Sequence, residues 1–167
     1  GKHRGRFDVR VGSRVFSDLH TSLSGEHQRD NAACAVAVLE RLRGLGIDVP
    51  ESALRSGLSS VRWPGRLERV GKHPGFVFDA AHNPDGCQAL VRFLRHEDPW
   101  KRTAKGRRVL VFGAMVDKDF RPMLRMLAAL VDKIIYCPQK MPRAATHAQL
   151  ARVKKGVFAR SVRDALA

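Results

Sequence analysis

The sequence predicts an α/β fold in which a mostly parallel sheet is covered by helices on both faces. The first observation is that, after Trp63, short apolar runs alternate with segments whose apolar residues recur at helical spacing. The second is that the first three of these runs lead into aspartate, glycine or proline, as buried strands that lead into loops commonly do. A chain of 167 residues with 44% hydrophobic residues can bury the core that such a fold needs.

The first 60 residues or so predict a hairpin and two helices. Residues 6–16 alternate apolar and polar side chains around a Gly-Ser pair, which predicts a β-hairpin. Residues 30–45 predict a helix, and its first half is apolar nearly all round, so we expect that half to be buried. A short helix is expected from Pro50 to Leu58, and the change of pattern near Ser59 predicts a boundary.

The remainder of the chain predicts four strands separated by helices. The strands are GFVFD, RVLVFGAM, KIIYCP and GVFA, which the pattern places in one parallel sheet. Helix starts are predicted by capping residues at three places, namely Asn83 with Pro84, Thr146 with Gln149, and Ser161 with Asp164.

Charge, cysteines and hydropathy limit the class of protein. The formal charge of +15 predicts anionic partners without saying which ones. Cys34, Cys87 and Cys137 are odd in number and far apart, so they predict neither a disulfide framework nor a metal knuckle. They fit small core residues of a protein in the reducing cytoplasm. The apolar runs are too short for a membrane span, and we expect no membrane partner.

The two ends of the chain predict that it is a fragment of a longer protein. It opens with Gly1 and has no initiator methionine. Its last residues predict a helix that is too short to persist without further packing.

Ionisable side chains follow two of the predicted strands. Asp79 and His82 come after the first of these strands, and Asp117, Lys118 and Asp119 come after the second. In open α/β sheets ligands bind at the carboxyl ends of strands, and the N-terminus of a helix favours anions. The pattern therefore predicts a ligand site. The alternative is that Asn83 only caps its helix and that the preceding histidine is a solvated loop residue.

Several motifs occur in a fixed order along almost the whole chain. They are HQRDNAACAVAVLERL, WPGRLE, DAAHNPDG and FGAMVDKD, followed by MPRA. Together they resemble the folylpolyglutamate synthase and dihydrofolate synthase family of Mur-type ligases. The resemblance implies that residues 1–60 are the C-terminal part of the central ATP-binding domain. It implies that residues 61–167 are a Rossmann-like Mur ligase C-terminal domain, truncated at its end.

The resemblance also implies an activity. It is the ATP- and Mg²⁺-dependent addition of L-glutamate to a folate or dihydropteroate carboxylate, through an acyl phosphate, by a protein that we expect to be a monomer. No Gly-x-x-x-x-Gly-Lys-[Ser/Thr] phosphate loop occurs in this sequence. The family's Mg²⁺ ligands also belong to the part of the central domain that precedes this chain. We therefore assign no metal ligand, and we expect the chain alone to be inactive.

Four residues match functional positions of that family. Asn31 matches the asparagine that helps to bind the nucleotide, and a carboxamide suits an adenine edge because it both donates and accepts. Arg66 matches a phosphate-contacting arginine, whose forked donors suit phosphate oxygens. Asp79 matches an aspartate that binds ATP through its ribose. His82 resembles a catalytic histidine near the phosphates and the incoming glutamate. Ala80 stands where the family often has glycine.

Each of these assignments has a plainer alternative. The asparagine would only cap a helix, the arginine would be an exposed surface residue, and the aspartate would make a local hydrogen bond in its loop. The histidine would have a structural role.

Two other functions remain open at this point. Another Mur-type ligase, such as a cyanophycin synthetase or a peptidoglycan-building enzyme, shares the Pro-Gly-Arg and His-Asn-Pro elements. A nucleic-acid-binding module would use the basic segments at residues 2–14 and 101–108. Aromatic residues make up only 7% of the chain, and no nucleic-acid-binding motif is recognisable, so we expect no specific nucleic-acid partner.

Overall fold

A computed structural model of the chain describes residues 5–71, 75–97, 106–137 and 139–167. The chain packs as two compact units, Gly1–Ala80 and Ala81–Ala167. The boundary expected near residue 60 lies within the first unit, and as a division between two enzyme domains it stays a prediction. The basic segment expected at residues 101–108 lies mostly outside the described residues, as do Lys2 and Arg4.

The first unit contains two antiparallel strand pairs and two helices. Its elements are β1 (Arg6–Val11), β2 (Arg14–His20), α1 (Glu26–Arg43), α2 (Glu51–Ser60), β3 (Glu68–Val70) and β4 (Phe76–Phe78). Strands β1 and β2 form the predicted hairpin. Helix α1 begins at Glu26, earlier than predicted. Gly25 precedes it and no side chain caps it, so no capping residue marks this start in the sequence.

The hairpin packs against the two helices to form the core of the first unit. The buried cluster contains Phe16 and Leu19 of the hairpin, Val36 of α1 and Leu54 of α2. The expectation that the first half of the helix predicted at residues 30–45 is buried is wrong, because Asn31 is exposed. Cys34 and Ala35 are exposed as well. The buried residues of α1 instead follow one stripe at helical spacing.

Strands β3 and β4 form a separate two-stranded antiparallel sheet. The GFVFD segment is therefore a strand, as predicted, but its expected place in the parallel sheet is wrong. Strand β4 has only three residues, and none of them is fully buried. Its three residues pair antiparallel with Glu68–Val70 instead.

The second unit is the predicted alternation of helices and parallel strands. Its elements are α3 (Pro84–His96), β5 (Val109–Phe112), α4 (Phe120–Ala128), β6 (Lys133–Tyr136), α5 (His147–Ala151), β7 (Val157–Phe158) and α6 (Val162–Leu166). The three strands are parallel and lie in the order β5-β6-β7. All three predicted caps are confirmed, since the side chains of Asn83, Thr146 and Ser161 each accept a backbone N–H of their own helix.

Alternate residues of these strands enter two different cores. Ile134 and Tyr136 lie in a cluster with residues of α3, α4 and α5. Val111 and Ile135 pack in a second cluster with Ala165 of α6. Because successive side chains of a strand point to opposite faces, helices cover both faces of this sheet, and the predicted α/β class is confirmed.

The cysteines are free thiols in the part of the chain that is described. Cys87 and Cys137 are buried, as expected, but Cys34 is exposed, so its expected place in the core is wrong. Within the same residues, no helix combines the length and the apolar character needed to cross a membrane.

Candidate functional site

The start of α1 lies directly against the turn formed by the Trp-Pro-Gly-Arg motif. Gly25 has a φ of 96°, a conformation that favours glycine. A Cβ atom at this position would lie 2.6 Å from Leu67 Cδ1 and 2.7 Å from His27 Cε1. A side chain at this position would require Leu67 or His27 to shift, so Gly25 allows the His-Gln-x-x-Asn segment to approach the turn closely.

The turn itself is held by the carboxylate that follows β4. The backbone N–H of Leu67 donates to Asp79 Oδ2 at 3.0 Å, and the N–H of Ala80 donates to the carbonyl of Gly65 at 2.7 Å. Leu67 has a φ of 47°, and its side chain is 2% exposed. Two hydrogen bonds and a buried leucine therefore fix the backbone on both sides of Arg66.

The three residues predicted to bind the nucleotide all lie in the first unit. Asn31 is exposed on α1, and it is not a helix cap because the helix begins before it, at Glu26. Arg66 is half-buried, so it is not a fully exposed surface arginine. Asp79 is half-buried and makes the local hydrogen bond to Leu67 that was its plainer alternative. Their roles in binding stay predictions.

His82, the predicted catalytic residue, belongs to the second unit. It is exposed and lies in the loop before α3, next to the capping residue Asn83. The side chain of Asn83 accepts the N–H of Gly86 at 2.7 Å, so this asparagine does cap the helix. The catalytic role of His82 stays a prediction.

The loops that follow β5 and β6 are joined by an ion pair. Arg143 of the MPRA motif donates from Nη1 to Asp117 Oδ2 at 3.0 Å, and Lys118 Nζ lies 4.0 Å from the same oxygen. A bridge between Met115 and Ala144 joins the same two loops. These groups lie at the carboxyl end of the parallel sheet, as the sequence predicted for Asp117 and Lys118. The pair is exposed and adds about 1 kcal/mol or less to stability.

Gln28 is a polar residue whose importance was not predicted. It is 6% exposed, and its carboxamide contacts both His27 and Asn31. The signal in the sequence is its spacing, since Gln28, Ala32 and Val36 occupy one helical stripe and are the buried residues of α1. A carboxamide in an otherwise apolar stripe needs hydrogen-bond partners.

Among the described residues, two side chains outside this site, Tyr136 and Glu51, have shifted pKa values. Burial raises the pKa of Tyr136, which belongs to the core of the second unit. A hydrogen bond from Arg55 lowers the pKa of Glu51 at the start of α2. In the described ranges, no group of three or more His, Cys, Asp or Glu side chains is placed to hold a metal ion.

Comparison with known protein families shows which family this chain belongs to. Residues 65–167 match the family described as Mur ligase, glutamate ligase domain. The chain belongs to the Mur ligase family. This match covers most of the region that the motifs assigned to a Mur-type C-terminal domain.

Individual relatives belong to the folate branch of the Mur ligases. The chain is 36% identical over 141 residues to the dihydrofolate synthase/folylpolyglutamate synthase of Bacillus subtilis, covering 84% of this chain and 32% of the relative. It is 37% identical over 132 residues to the enzyme of the same name from Mycobacterium tuberculosis, covering 78% of this chain and 26% of the relative. The resemblance inferred from the motifs is thereby confirmed. The chain spans about a third of the length of the first relative.

Two solved structures of related proteins have the same fold as this chain. One is E. coli FolC in complex with DHPP and ADP, with a TM-score of 0.81 and 30% identity, covering 99% of this chain and 38% of that one. Another is Mycobacterium tuberculosis folylpolyglutamate synthase complexed with ADP, with a TM-score of 0.79 and 34% identity, covering 91% of this chain and 34% of that one. The Rossmann-like assignment of this Mur ligase domain is confirmed.

Proposed function

We propose that this Mur ligase chain belongs to an ATP-dependent enzyme that adds L-glutamate to the carboxylate of a folate or dihydropteroate. The names of the relatives support the reaction, and ADP in two of the solved structures supports the nucleotide. The observation that carries the proposal is the contact of Gly25 with Leu67, together with the Leu67–Asp79 hydrogen bond. These contacts bring the segments that contain the three proposed nucleotide-binding residues together in one unit.

Each of those three side chains suits one part of ATP. The Asn31 carboxamide can donate to a ring nitrogen of adenine and accept from its amino group. The Arg66 guanidinium can bind phosphate oxygens through two parallel N–H donors. The Asp79 carboxylate, which accepts the N–H of Leu67, is a group that can accept several hydrogen bonds, including those from ribose hydroxyls.

The reaction follows from the chemistry of the two substrates. The bond between the γ-phosphorus of ATP and the β–γ bridging oxygen breaks, ADP leaves, and an oxygen of the acceptor carboxylate bonds to that phosphorus to give an acyl phosphate. The amine of glutamate then attacks the carbonyl carbon, phosphate leaves, and the nitrogen loses a proton. His82 is proposed to act near the phosphate and the incoming glutamate. Phosphoryl transfer depends mainly on positioning and on neutralising charge, to which Mg²⁺ contributes when it is bound.

Three finer properties are part of the proposal. We infer a cytoplasmic location, which the free thiols support because cytosolic proteins are kept reduced. The monomeric state and the lack of a specific nucleic-acid partner remain predictions from the family resemblance and the sequence.

An assay of the complete protein tests the proposed function. It is incubated with Mg-ATP, L-glutamate and either dihydropteroate or tetrahydrofolate, and products are identified by mass spectrometry. We expect a glutamylated product and phosphate release that depend on both glutamate and acceptor. If the protein instead ligates amino acids to a cyanophycin primer or a muramoyl peptide, the other Mur-type assignment is correct and the folate assignment is wrong.

A further inference from the structure

We propose that Gln28 is a positioning residue that fixes the orientation of the Asn31 carboxamide and thereby makes the site prefer adenine over 6-oxopurine nucleotides. This inference rests on the proposed ATP-dependent function, and it adds a residue and a selectivity to it. All of the side chains involved belong to the first unit.

Gln28 is a buried polar residue, and a buried carboxamide needs hydrogen-bond partners at both ends. It is 6% exposed, and Gln28 and Thr21 are the buried polar residues of the described chain. Both ends of its carboxamide are engaged, since Oε1 accepts from Asn31 Nδ2 at 3.1 Å and Nε2 lies 3.0 Å from His27 Nε2. Leaving either end unpaired at a buried position would cost about 1–3 kcal/mol.

In the structure these contacts form a chain of hydrogen bonds that runs in one direction. A carboxamide nitrogen can donate but cannot accept, so the His27 ring nitrogen is the acceptor for Gln28 Nε2. The oxygen of Gln28 must then face Asn31, and it accepts an N–H from that residue. If the Asn31 carboxamide were flipped, its oxygen would face the oxygen of Gln28, and two acceptors would repel each other. With His27 Nε2 as an acceptor, Gln28 therefore selects one of the two orientations of Asn31.

A fixed orientation matters because the two kinds of purine differ at position 6. Adenine carries an amino donor there, beside an acceptor ring nitrogen, whereas hypoxanthine and guanine carry an oxygen acceptor. Asn31 is exposed, and within the described residues its only side-chain hydrogen bond is the one to Gln28. Its oxygen and its second N–H can therefore pair with the adenine edge. A 6-oxopurine would need the flipped carboxamide, which Gln28 opposes.

The test compares ATP with inosine triphosphate as phosphoryl donors for the complete protein. Gln28→Leu keeps the volume and removes both polar ends, so Asn31 is released to adopt either orientation. We expect the KM for ATP to rise about 5- to 30-fold with kcat within about 2-fold, and the preference for ATP in kcat/KM to fall about 10-fold. Gln28→Glu keeps an acceptor for Asn31, and we expect it to retain most of the preference for ATP.

Arg29→Leu is the matched control, because Arg29 is adjacent on α1 and its side chain pairs only with Glu26 in the described chain. It should change neither the KM nor the preference. If Gln28→Leu does not fold, the unbranched variant Gln28→Met is measured in its place with the same expectations. Thermal melts identify the folded variants.

The inference is overturned if a folded Gln28→Leu or Gln28→Met variant keeps the wild-type preference for ATP. It is also overturned if Gln28→Glu loses the preference as completely as Gln28→Leu. In both cases the wild-type protein still ligates glutamate, so the proposed function stands. A wild-type protein that does not use ATP would instead overturn both proposals.

Discussion

Leu67 is held in a left-handed backbone conformation that costs roughly 1–2 kcal/mol for a residue with a side chain. The hydrogen bond from its N–H to Asp79 and the burial of its side chain offset this cost. Arg66 immediately precedes it and takes its position from the same turn. The residues proposed to contact phosphate and ribose are therefore linked through one backbone N–H.

The first prediction concerns Arg66. If its guanidinium meets phosphate oxygens as charge develops, Arg66→Ala should lower turnover more than it weakens acceptor binding. The loss of one such contact corresponds to about 2–4 kcal/mol of barrier, which is a rate loss on the order of 30- to 1000-fold. Arg66→Lys should recover only part of the rate, because an ammonium group lacks the planar fork. Steady-state kinetics of the complete protein measure both, and wild-type turnover in Arg66→Ala would contradict the assignment.

The second prediction separates two roles of Asp79. Asp79→Ala should raise the KM for ATP, because a ribose contact is made in the ground state and the transition state alike. It should also lower the free energy of unfolding by about 1–3 kcal/mol, because the Leu67 N–H loses its partner. Asp79→Asn keeps an acceptor oxygen for Leu67, so its stability should stay close to wild type. Kinetics and urea unfolding measure the two effects. An unchanged KM in Asp79→Ala would show that Asp79 only holds the turn.

At the scale of helices and strands, the proposed nucleotide site depends most on the contact between the start of α1 and the Trp-Pro-Gly-Arg turn. It depends on the absence of a side chain at Gly25, where a Cβ atom would meet both Leu67 and His27. The helix has no side-chain cap at this end, so its start is defined by this packing.

The third prediction compares two glycines that both have a positive φ. Gly25 has a φ of 96° and Gly46 a φ of 88°, but only the first is crowded, since nothing lies within 4 Å of a Cβ built on Gly46. Both alanine substitutions should incur a backbone penalty of about 1–3 kcal/mol, because φ is positive at each position. Gly25→Ala should lose about 1–3 kcal/mol more through overpacking. Urea unfolding measures both, and equal losses would contradict the close contact.

The fourth prediction concerns the pH dependence of stability. Tyr136 is fully buried and donates from its hydroxyl to the Lys154 carbonyl at 2.6 Å, and burial raises the pKa of this tyrosine. Its stabilising contribution is therefore complete below the unfolded pKa of about 10 and is lost as pH rises through the folded pKa. The unfolding free energy of Tyr136→Phe should fall less steeply above pH ~10 than that of wild type. Identical slopes in urea titrations would contradict this assignment.

The elements that could be predicted are those marked by a short pattern in the sequence, either an apolar run or a capping residue. The apolar runs of β5 and β6 and the caps at Asn83 and Thr146 belong to this group. Strand β3 was not predicted because its three residues are exposed and show no pattern. The Leu67–Asp79 hydrogen bond was not predicted either, because a backbone donor leaves no trace in a sequence. The motif residues were predicted through the family resemblance, whereas Gln28 required knowledge of its burial.

At the scale of the whole molecule, the chain combines a large positive charge with membership of the Mur ligase family. The partners named in the related structures are ADP and DHPP, and the proposed substrates ATP, glutamate and folate are anionic as well. The charge is therefore compatible with small anionic ligands and does not require a nucleic acid. The chain spans about a third of the first relative, so its residues are proposed to supply one part of a larger site.

Hydrogen exchange of the complete protein, with and without a non-hydrolysable ATP analogue and Mg²⁺, tests most directly where the nucleotide binds. We expect slower exchange at residues 25–31 and 65–67, which form the α1 start and the turn that contains Arg66. The hairpin tip at Gly12 should exchange at the same rate in both samples. Unchanged exchange in both predicted segments, with protection confined to other parts of the protein, would contradict the proposal that these motifs bind the nucleotide.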